Sequence, residues 1–198
     1  MKMTLTIFGV VLLGIVCGYY LIPDIKYLDL MINITLTIVI FFVGIGIGKN
    51  KHIFKDIKKA GMKILILPIG TIIGSLLGGL LVGFILHRSL SLSLAIASGL
   101  GWYSISSGLL LPVGGAELAT IGFLANVFRE MIAFLIIPIV AKRVSPYSAI
   151  SVAGATSMDT TLPLISKATN DEYALISFIH GALLSLAVPI LVQFFANI

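Results

Sequence analysis

The chain contains 198 residues, of which 59% are apolar and only 11% are charged, with a net charge of +5 and a mean hydropathy of +1.15. A soluble domain carries roughly 25% charged residues, so this composition excludes soluble enzymes, nucleic-acid-binding modules and disordered tails. We therefore predict an all-α integral membrane protein, with the lipid bilayer as its surroundings and no nucleic acid among its partners.

Two apolar stretches, residues 4–22 and 28–48, come first in the chain. Each is close to the roughly 20 residues that a helix needs to cross a bilayer, so residues 1–48 are predicted to form a helical hairpin. Residues 49–63 follow with six lysines and a single acid, Asp56. Because short loops with such a basic excess stay in the cytoplasm, this loop and the N-terminus are both predicted to be cytoplasmic.

The third and fourth apolar stretches differ in where their small residues lie. Residues 64–86 contain the pairs Gly74/Gly78 and Gly79/Gly83, and small residues four positions apart on one helix face let a second helix approach closely. Residues 90–113 have membrane length, but their centre, near residues 98–112, is rich in glycine and serine. This pattern predicts a broken or re-entrant segment.

The last three stretches show the same contrast. Residues 117–141 and 173–197 are predicted spans, whereas residues 147–165 are interrupted by a polar run near 154–163. If both broken stretches fold back, Lys142, Arg143 and Lys167 fall on the cytoplasmic side, as the charge rule prefers. We therefore predict five full spans and two broken or re-entrant segments, with the C-terminus outside. The whole chain, 1–198, is predicted to be one transporter domain with its core at 64–198.

Arg129 and Glu130 are the strongest candidates for function. A charged side chain at the membrane centre costs about 2.5–3.5 kcal/mol, so both must face protein or water. Adjacent residues on a helix point in different directions, so these two do not pair with each other. We predict that Asp159 pairs with Arg129 and that Glu130 is left to bind a cation or to carry a proton. A buried structural ion pair is the alternative.

The broken stretch around Asp159 is the second candidate site. Unwound backbone frees amides that attract carboxylates and carbonyls that attract cations. Such backbone is tolerated at membrane depth only where it lines a cavity or is buried in protein. The hydroxyl-bearing residues predicted to contribute are Thr156, Ser157, Thr160 and Thr161.

The fourth stretch adds a polar aromatic cluster of Trp102, Tyr103, Ser104 and Ser106. An aromatic pair can form a cation–π wall for an ammonium group, although a single tryptophan is equally typical of an interfacial anchor.

Three further residues are weaker candidates. Asn126 lies one turn before Glu130 and can orient it, whereas Glu117 either joins the path or complements the dipole of its helix. His180 is either a proton relay or a hydrogen-bonded core residue. The sequence shows no metal-ligand spacing, phosphate loop or nucleophile–base set. We predict no enzyme, no catalytic residue and no metal or cofactor beyond a proton or sodium ion as coupling ion.

At these residues the sequence resembles the LysO family of bacterial and archaeal L-lysine exporters. The residues that carry the resemblance are Gly101-Trp102-Tyr103-Ser104, Phe123-Leu124-Ala125-Asn126, Arg129-Glu130, Gly154 through Asp159, Thr161-Leu162-Pro163, Gly181, Leu184-Ser185-Leu186 and Pro189-Ile190. The resemblance covers the C-terminal two-thirds of a full-length member. It implies the large half of a split exporter whose N-terminal three-helix module is a separate protein.

The resemblance implies export of L-lysine or a related basic amino acid across the inner membrane of a prokaryote, coupled to proton or cation exchange. It also implies a distant relation to antiporter-like folds with crossed discontinuous helices. We expect the chain to assemble with a small three-helix membrane partner or as a homodimer. Two alternatives remain open: a sodium- or proton-coupled carrier of another small organic ion, and a membrane subunit that is active only with a partner module.

Overall fold

The computed structural model describes residues 63–198 without interruption, together with helical positions at 13–14, 16–20, 31, 34, 38, 41 and 45. The chain divides into two compact units, Met1–Ile38 and Val39–Ile198. Apart from these isolated positions, the first two predicted spans and the basic loop lie outside the described residues. The architecture below concerns residues 63–198.

All regular structure between residues 63 and 198 is helical. The helices are α1 (Lys63–Ile85), α2 (Leu90–Ala97), α3 (Tyr103–Arg143), α4 (Pro146–Ala153), a 3-10 helix (Gly154–Met158), α5 (Leu162–Ala168) and α6 (Asp171–Ala196). In this part of the chain, three helices are long and apolar enough to cross a membrane, namely Leu65–Ile85, Tyr103–Arg143 and Glu172–Ala196. The predicted all-helical class, with helices of membrane length, is therefore confirmed for the described residues.

Polar caps fix where three of these helices begin. The hydroxyl of Ser89 accepts from the amide of Leu92 at the start of α2. The hydroxyl of Ser145 accepts from the amide of Ser148 at the start of α4, and the Asn170 side chain accepts from the amide of Tyr173 at the start of α6. Each cap satisfies one of the backbone amides that a helix leaves free in its first turn.

Helix α3 folds back on itself at two glycines. Gly114 and Gly115 have non-helical backbone angles, and Gly115 has a φ of 66°, a conformation that glycine adopts without strain. Leu110 packs against Gly122, although twelve residues of straight helix would separate them by about 18 Å. Residues 103–113 and 116–143, here called the short arm and the long arm of α3, therefore run antiparallel.

The segment from α2 to the short arm of α3 begins and ends at the same end of the molecule. Ser93 of α2 lies against Gly83, and Ala97 lies against Gly79, so α2 runs back along α1. The short arm then returns to the turn at Gly114, which lines the same cavity as Arg88 at the start of α2. We call residues 90–113 the first fold-back segment and residues 98–102 its tip.

Residues 146–168 form the second fold-back segment. Its first helix follows directly on the long arm of α3, and its last helix leads directly into α6. The rings of Tyr147 and Tyr173 meet edge to face with their centroids 5.2 Å apart, so the segment starts and finishes at one place. The 3-10 helix and the following turn, residues 154–161, form its tip. This segment enters from the end opposite to the one used by the first.

Only one of the two glycine pairs of α1 contacts a described helix. A Cβ atom added to Gly79 or Gly83 would lie within 3.0 Å of α2, so their lack of a side chain is what permits this contact. A Cβ atom added to Gly74 or Gly78 would meet no described atom within 4 Å. The close packing predicted from the sequence therefore involves Gly79 and Gly83.

Candidate functional site

The two tips contact each other. The amide of Ala155 donates to the carbonyl of Leu100 over 2.9 Å. Gly154 has a φ of 65°, and a Cβ atom there would lie 2.3 Å from that same carbonyl oxygen. Only glycine combines this backbone conformation with so close an approach. Two interrupted helices are thus joined through their unwound backbone.

Asn126, in the long arm of α3, holds the first tip. Its carboxamide oxygen accepts from the amide of Gly101 over 2.8 Å, and its nitrogen donates to Ser106 Oγ and to the carbonyl of Ile96, each over 3.3 Å. The side chain is 3% exposed. The prediction that Asn126 orients Glu130 is wrong, because these bonds lead to the tip instead.

Helix α6 and helix α1 hold the second tip. Ser157 Oγ donates to the carbonyl of Ser177 over 2.9 Å, and Ser177 Oγ donates to the carbonyl of Ser157 over 2.7 Å. The ring of His180 lies between Ser157 Oγ, 2.9 Å from Nδ1, and Thr71 Oγ1, 3.0 Å from Nε2. His180 is therefore hydrogen-bonded on both ring nitrogens, in a site that is 1% exposed.

Glu130 and Asp159 are linked through Thr160. The Thr160 hydroxyl donates to Glu130 Oε1 over 2.5 Å, and the Thr160 amide donates to Asp159 Oδ1 over 2.5 Å. Glu130 is 3% exposed, whereas Asp159 is exposed. The two carboxylates are thus held on a single residue at the end of the second tip, one inside the protein and one at its surface. We call Glu130, Asp159 and Thr160 the acidic site.

Arg129 lies apart from the acidic site. Its guanidinium donates to Ser75 Oγ of α1 over 2.9 Å, and its aliphatic part lies near Gly101 of the first tip. Among the residues that the structure describes, Arg129 forms no ion pair with Asp159. That predicted pairing is wrong, because the Arg129 guanidinium lies beside Ser75 and Gly154, at the start of the second tip, whereas Glu130 bonds to Thr160 near its end.

The remaining predicted residues lie at separate places around the two tips. Trp102 and Thr156 line a small pocket of about 100 Å³ together with Asp159. Tyr103 packs edge to face on Phe123, with the ring centroids 5.4 Å apart. Thr161 Oγ1 donates to the carbonyl of Thr156 over 2.9 Å, which closes the turn of the second tip. Ser106 serves the first tip as described above, and Ser104 is exposed.

A larger cavity, of about 760 Å³, lies between α1, α2 and the long arm of α3. Its floor carries Arg129, Asn126 and Ser75, and its mouth carries Arg88 and Glu117. The sequence indicated none of this, because helix periodicity does not reveal which distant helices enclose a space.

The model of the family described as "Lysine exporter LysO" matches residues 8–196. The chain belongs to this family. The lysine exporter LysO of Escherichia coli (strain K12) is 35% identical over 195 residues, which cover 98% of this chain and 64% of that protein. A putative lysine exporter of Haemophilus influenzae is 36% identical over 104 residues, which cover 52% of this chain and 53% of that protein.

The chain therefore spans less than two thirds of the length of either relative. No solved structure was found to match it. The segments that carry the resemblance to the LysO family converge in the structure, since Gly101 and Gly154 belong to the two tips and Asn126 and Gly181 contact them. A Cβ atom at Gly181 would lie 2.5 Å from the amide nitrogen of Met158, so this glycine lets α6 approach the second tip.

Proposed function

We propose that this chain is a membrane carrier that exports L-lysine, or a closely related basic amino acid, in exchange for protons or another cation. Membership of the LysO family and the printed names of the two relatives support this function. The observation that carries the proposal is the acidic site, where Thr160 bonds to both Glu130 and Asp159.

The acidic site is suited to a positively charged substrate. A carboxylate inside a membrane protein is costly unless a cation or a proton neutralises it. Two carboxylates held close together resist being ionised at the same time. An ammonium group of lysine and a proton therefore compete for the same pair. Release of lysine on one side favours proton uptake there, which gives exchange rather than uniport.

The surrounding charges support a defined orientation. Leu67, one turn after the first residue of α1, packs on the cluster of Ile137 and Ala149, so α1 starts at the end where the second fold-back segment enters. Lys142, Arg143 and Lys167 lie at this end too. We propose that this end is cytoplasmic, by the positive-inside rule. The first segment then enters from outside, the C-terminus lies outside, and two further spans near residues 4–22 and 28–48 bring the total to five.

The test is efflux of labelled lysine from proteoliposomes. We expect Glu130→Gln and Asp159→Asn each to reduce efflux to the level of empty liposomes, because each variant removes one of the two charges that the ammonium group needs. Glu172→Gln is the matched control, since it removes an exposed acid of α6 outside the site. Unchanged efflux in both site variants would overturn the proposed role of the acidic site.

The same preparation tests the coupling ion and the partner. We expect efflux of lysine to be faster when a pH gradient drives protons into the liposomes. A sodium gradient of the same direction is the comparison. We propose that the chain acts with a small three-helix membrane protein or as a homodimer. Efflux measured with the chain alone, with such a protein added, and after separation of monomer from dimer distinguishes these assemblies.

A further inference from the structure

The cavity of about 760 Å³ is separate from the acidic site. The contact between Leu100 and Ala155 lies at the tips, and Arg129 and Glu130 leave the long arm of α3 on different faces. Arg129 lines the cavity, whereas Glu130 bonds to the second tip. A substrate in the cavity therefore meets Arg129 and not the acidic pair. What the cavity recognises is then decided by its own lining.

The floor of the cavity carries one charged group. Arg129 is its cation, and the other charged side chains of the described lining, Arg88 and Glu117, lie at the mouth. Between floor and mouth the lining is mainly apolar, with Leu92, Ile96 and Ile121 among its residues. A guanidinium in such surroundings attracts anions more strongly than it would in water, because the apolar walls do not screen its charge.

Most N–H donors of the Arg129 guanidinium have no hydrogen-bond acceptor among the described residues. Of the five N–H groups that arginine carries, the described residues accept one bond, at Ser75 Oγ. The carbonyls at the end of α2 and at the first tip bond to other groups: Ala97 O accepts from Ser75 Oγ, Ile96 O from Asn126, and Leu100 O from Ala155. A purely structural role, in which Arg129 caps the end of α2, would place a hydrogen bond from the guanidinium on one of these carbonyls, and no such bond is present among the described residues.

We propose that this cavity is a carboxylate-binding site in which Arg129 is the anion ligand and the α-carboxylate of the exported amino acid is the anion. The planar guanidinium matches a carboxylate in two-point geometry. This inference rests on the proposed function, and it adds a means of selection. The acidic site accepts any suitable ammonium group, whereas the cavity admits amino acids and discriminates against diamines that lack a carboxylate.

A cysteine at position 125 reports on the charge in the cavity. Ala125 lines the cavity one helical turn before Arg129, so the two side chains lie on one helix face about 6 Å apart. Cys17 is the single native cysteine and is first replaced by serine. The rates at which anionic, cationic and neutral methanethiosulfonate reagents modify Ala125→Cys are then compared in the full chain in proteoliposomes.

We expect Arg129→Gln to lower the ratio of anionic to cationic rates by about tenfold, the effect of removing one charge about 6 Å away in water-like surroundings. Arg129→Lys retains the charge and should preserve the ratio. Arg88→Gln is the matched control, because it removes the same charge from the mouth and should change the ratio less. The neutral reagent should react in every variant, at most about threefold more slowly where the lost positive charge raises the pKa of the thiol, which shows that the cavity stays open.

Protection of the same cysteine in the presence of native Arg129 tests the ligand itself and does not depend on how the Arg129 variants fold. Lysine and 6-aminohexanoate are expected to slow modification, and cadaverine, which is lysine without its carboxylate, is not. If cadaverine protects as well as lysine does, or if none of the three compounds protects, the proposed carboxylate site is overturned. Protection by acetate and 6-aminohexanoate but not by lysine supports a carboxylate site and rejects lysine as its ligand. Glu130→Gln distinguishes failure of the acidic site from failure of the cavity site. We expect this variant to lose efflux but to keep the ratio of anionic to cationic modification rates at position 125.

Discussion

The amide of Ala155 and the carbonyl of Leu100 join the two fold-back segments through a single hydrogen bond of 2.9 Å. Both atoms belong to unwound backbone, whose polar groups must find partners inside a membrane protein. Each tip therefore provides a hydrogen-bond partner for a backbone polar group of the other. A movement that separates the tips must break this bond, so we expect the conformations of the proposed carrier to differ at this contact.

Gly154→Ala is predicted to disrupt this contact. The added Cβ atom would lie 2.3 Å from the Leu100 carbonyl oxygen, a backbone atom that cannot rotate away, and the φ of 65° adds strain. We expect a loss of about 2–4 kcal/mol of stability, from overpacking and backbone strain together, and a loss of lysine efflux. Thermal unfolding of the purified protein in detergent measures the first, and the proteoliposome assay measures the second.

Gly115→Ala provides the matched control for Gly154→Ala. Gly115 has a similar φ of 66°, but a Cβ atom there would meet no described atom within 4 Å. This variant therefore carries a backbone strain of about 1–3 kcal/mol without the clash. Equal destabilisation by the two substitutions would show that the close approach of Gly154 to Leu100 has no energetic consequence.

Asn126→Ala is predicted to loosen the first tip. The substitution removes the acceptor of the Gly101 amide and the donor to Ile96 and Ser106, in a site that is 3% exposed. A buried polar group left without its partner costs about 1–3 kcal/mol, so we expect a clear drop in the melting temperature. Asn197→Ala, which removes an exposed asparagine whose nitrogen bonds to Gln193, should change it little.

The sequence predicted the general architecture because composition and local pattern determine it. Apolar length indicated membrane helices, and the described part of the chain is helical with helices of that length. Glycine and hydroxyl clusters indicated where helices stop, and α2 and α4 do end at Ala97 and Ala153, beside those clusters. These are local properties, governed by backbone freedom and side-chain competition for backbone hydrogen bonds.

The partners of the polar residues could not be predicted in the same way. Arg129 was assigned to Asp159 as the single acid of the interrupted stretch 147–165, but its bond goes to Ser75, 54 positions earlier in the chain. Asn126 was assigned to the next turn of its own helix and instead bonds to a tip 25 positions away. Such contacts depend on how fold-back segments pack against full helices, which periodicity within one helix does not specify.

The number of hydrogens available around His180 predicts an energetic coupling between Thr71 and Ser157, which do not contact each other. The contacts of this network are Nδ1 with Ser157, Nε2 with Thr71, Ser157 with Ser177 O, and Thr71 with Leu67 O. A neutral imidazole and two hydroxyls supply three hydrogens for these four contacts. One contact is therefore always without a hydrogen, and which one depends on the tautomer.

Thr71→Val and Ser157→Ala should consequently be non-additive. In either single variant His180 can place its one N–H on the hydroxyl that remains. In the double variant that N–H has no partner, and a stranded buried donor costs about 1–3 kcal/mol. We expect the double variant to be destabilised by more than the sum of the single variants, as measured in a cycle of unfolding free energies. Simple additivity would mean that His180 does not connect α1 to the second tip.

A disulfide between positions 110 and 122 tests the fold-back of α3 directly. The Leu110 side chain packs on Gly122, so the two positions face each other, as the partners of a disulfide must. In a straight helix the two residues would be about 18 Å apart and could not be linked. With Cys17 replaced by serine, we expect Leu110→Cys/Gly122→Cys to lose both free thiols on mild oxidation, as counted by mass after alkylation.

The control variant Leu110→Cys/Leu135→Cys should retain both thiols, since Leu135 lies farther along the long arm, about 20 Å beyond Gly122. Retention of both thiols in the first pair would mean that Gly114 and Gly115 bend α3 without reversing it, and the first segment would then cross the membrane instead of returning.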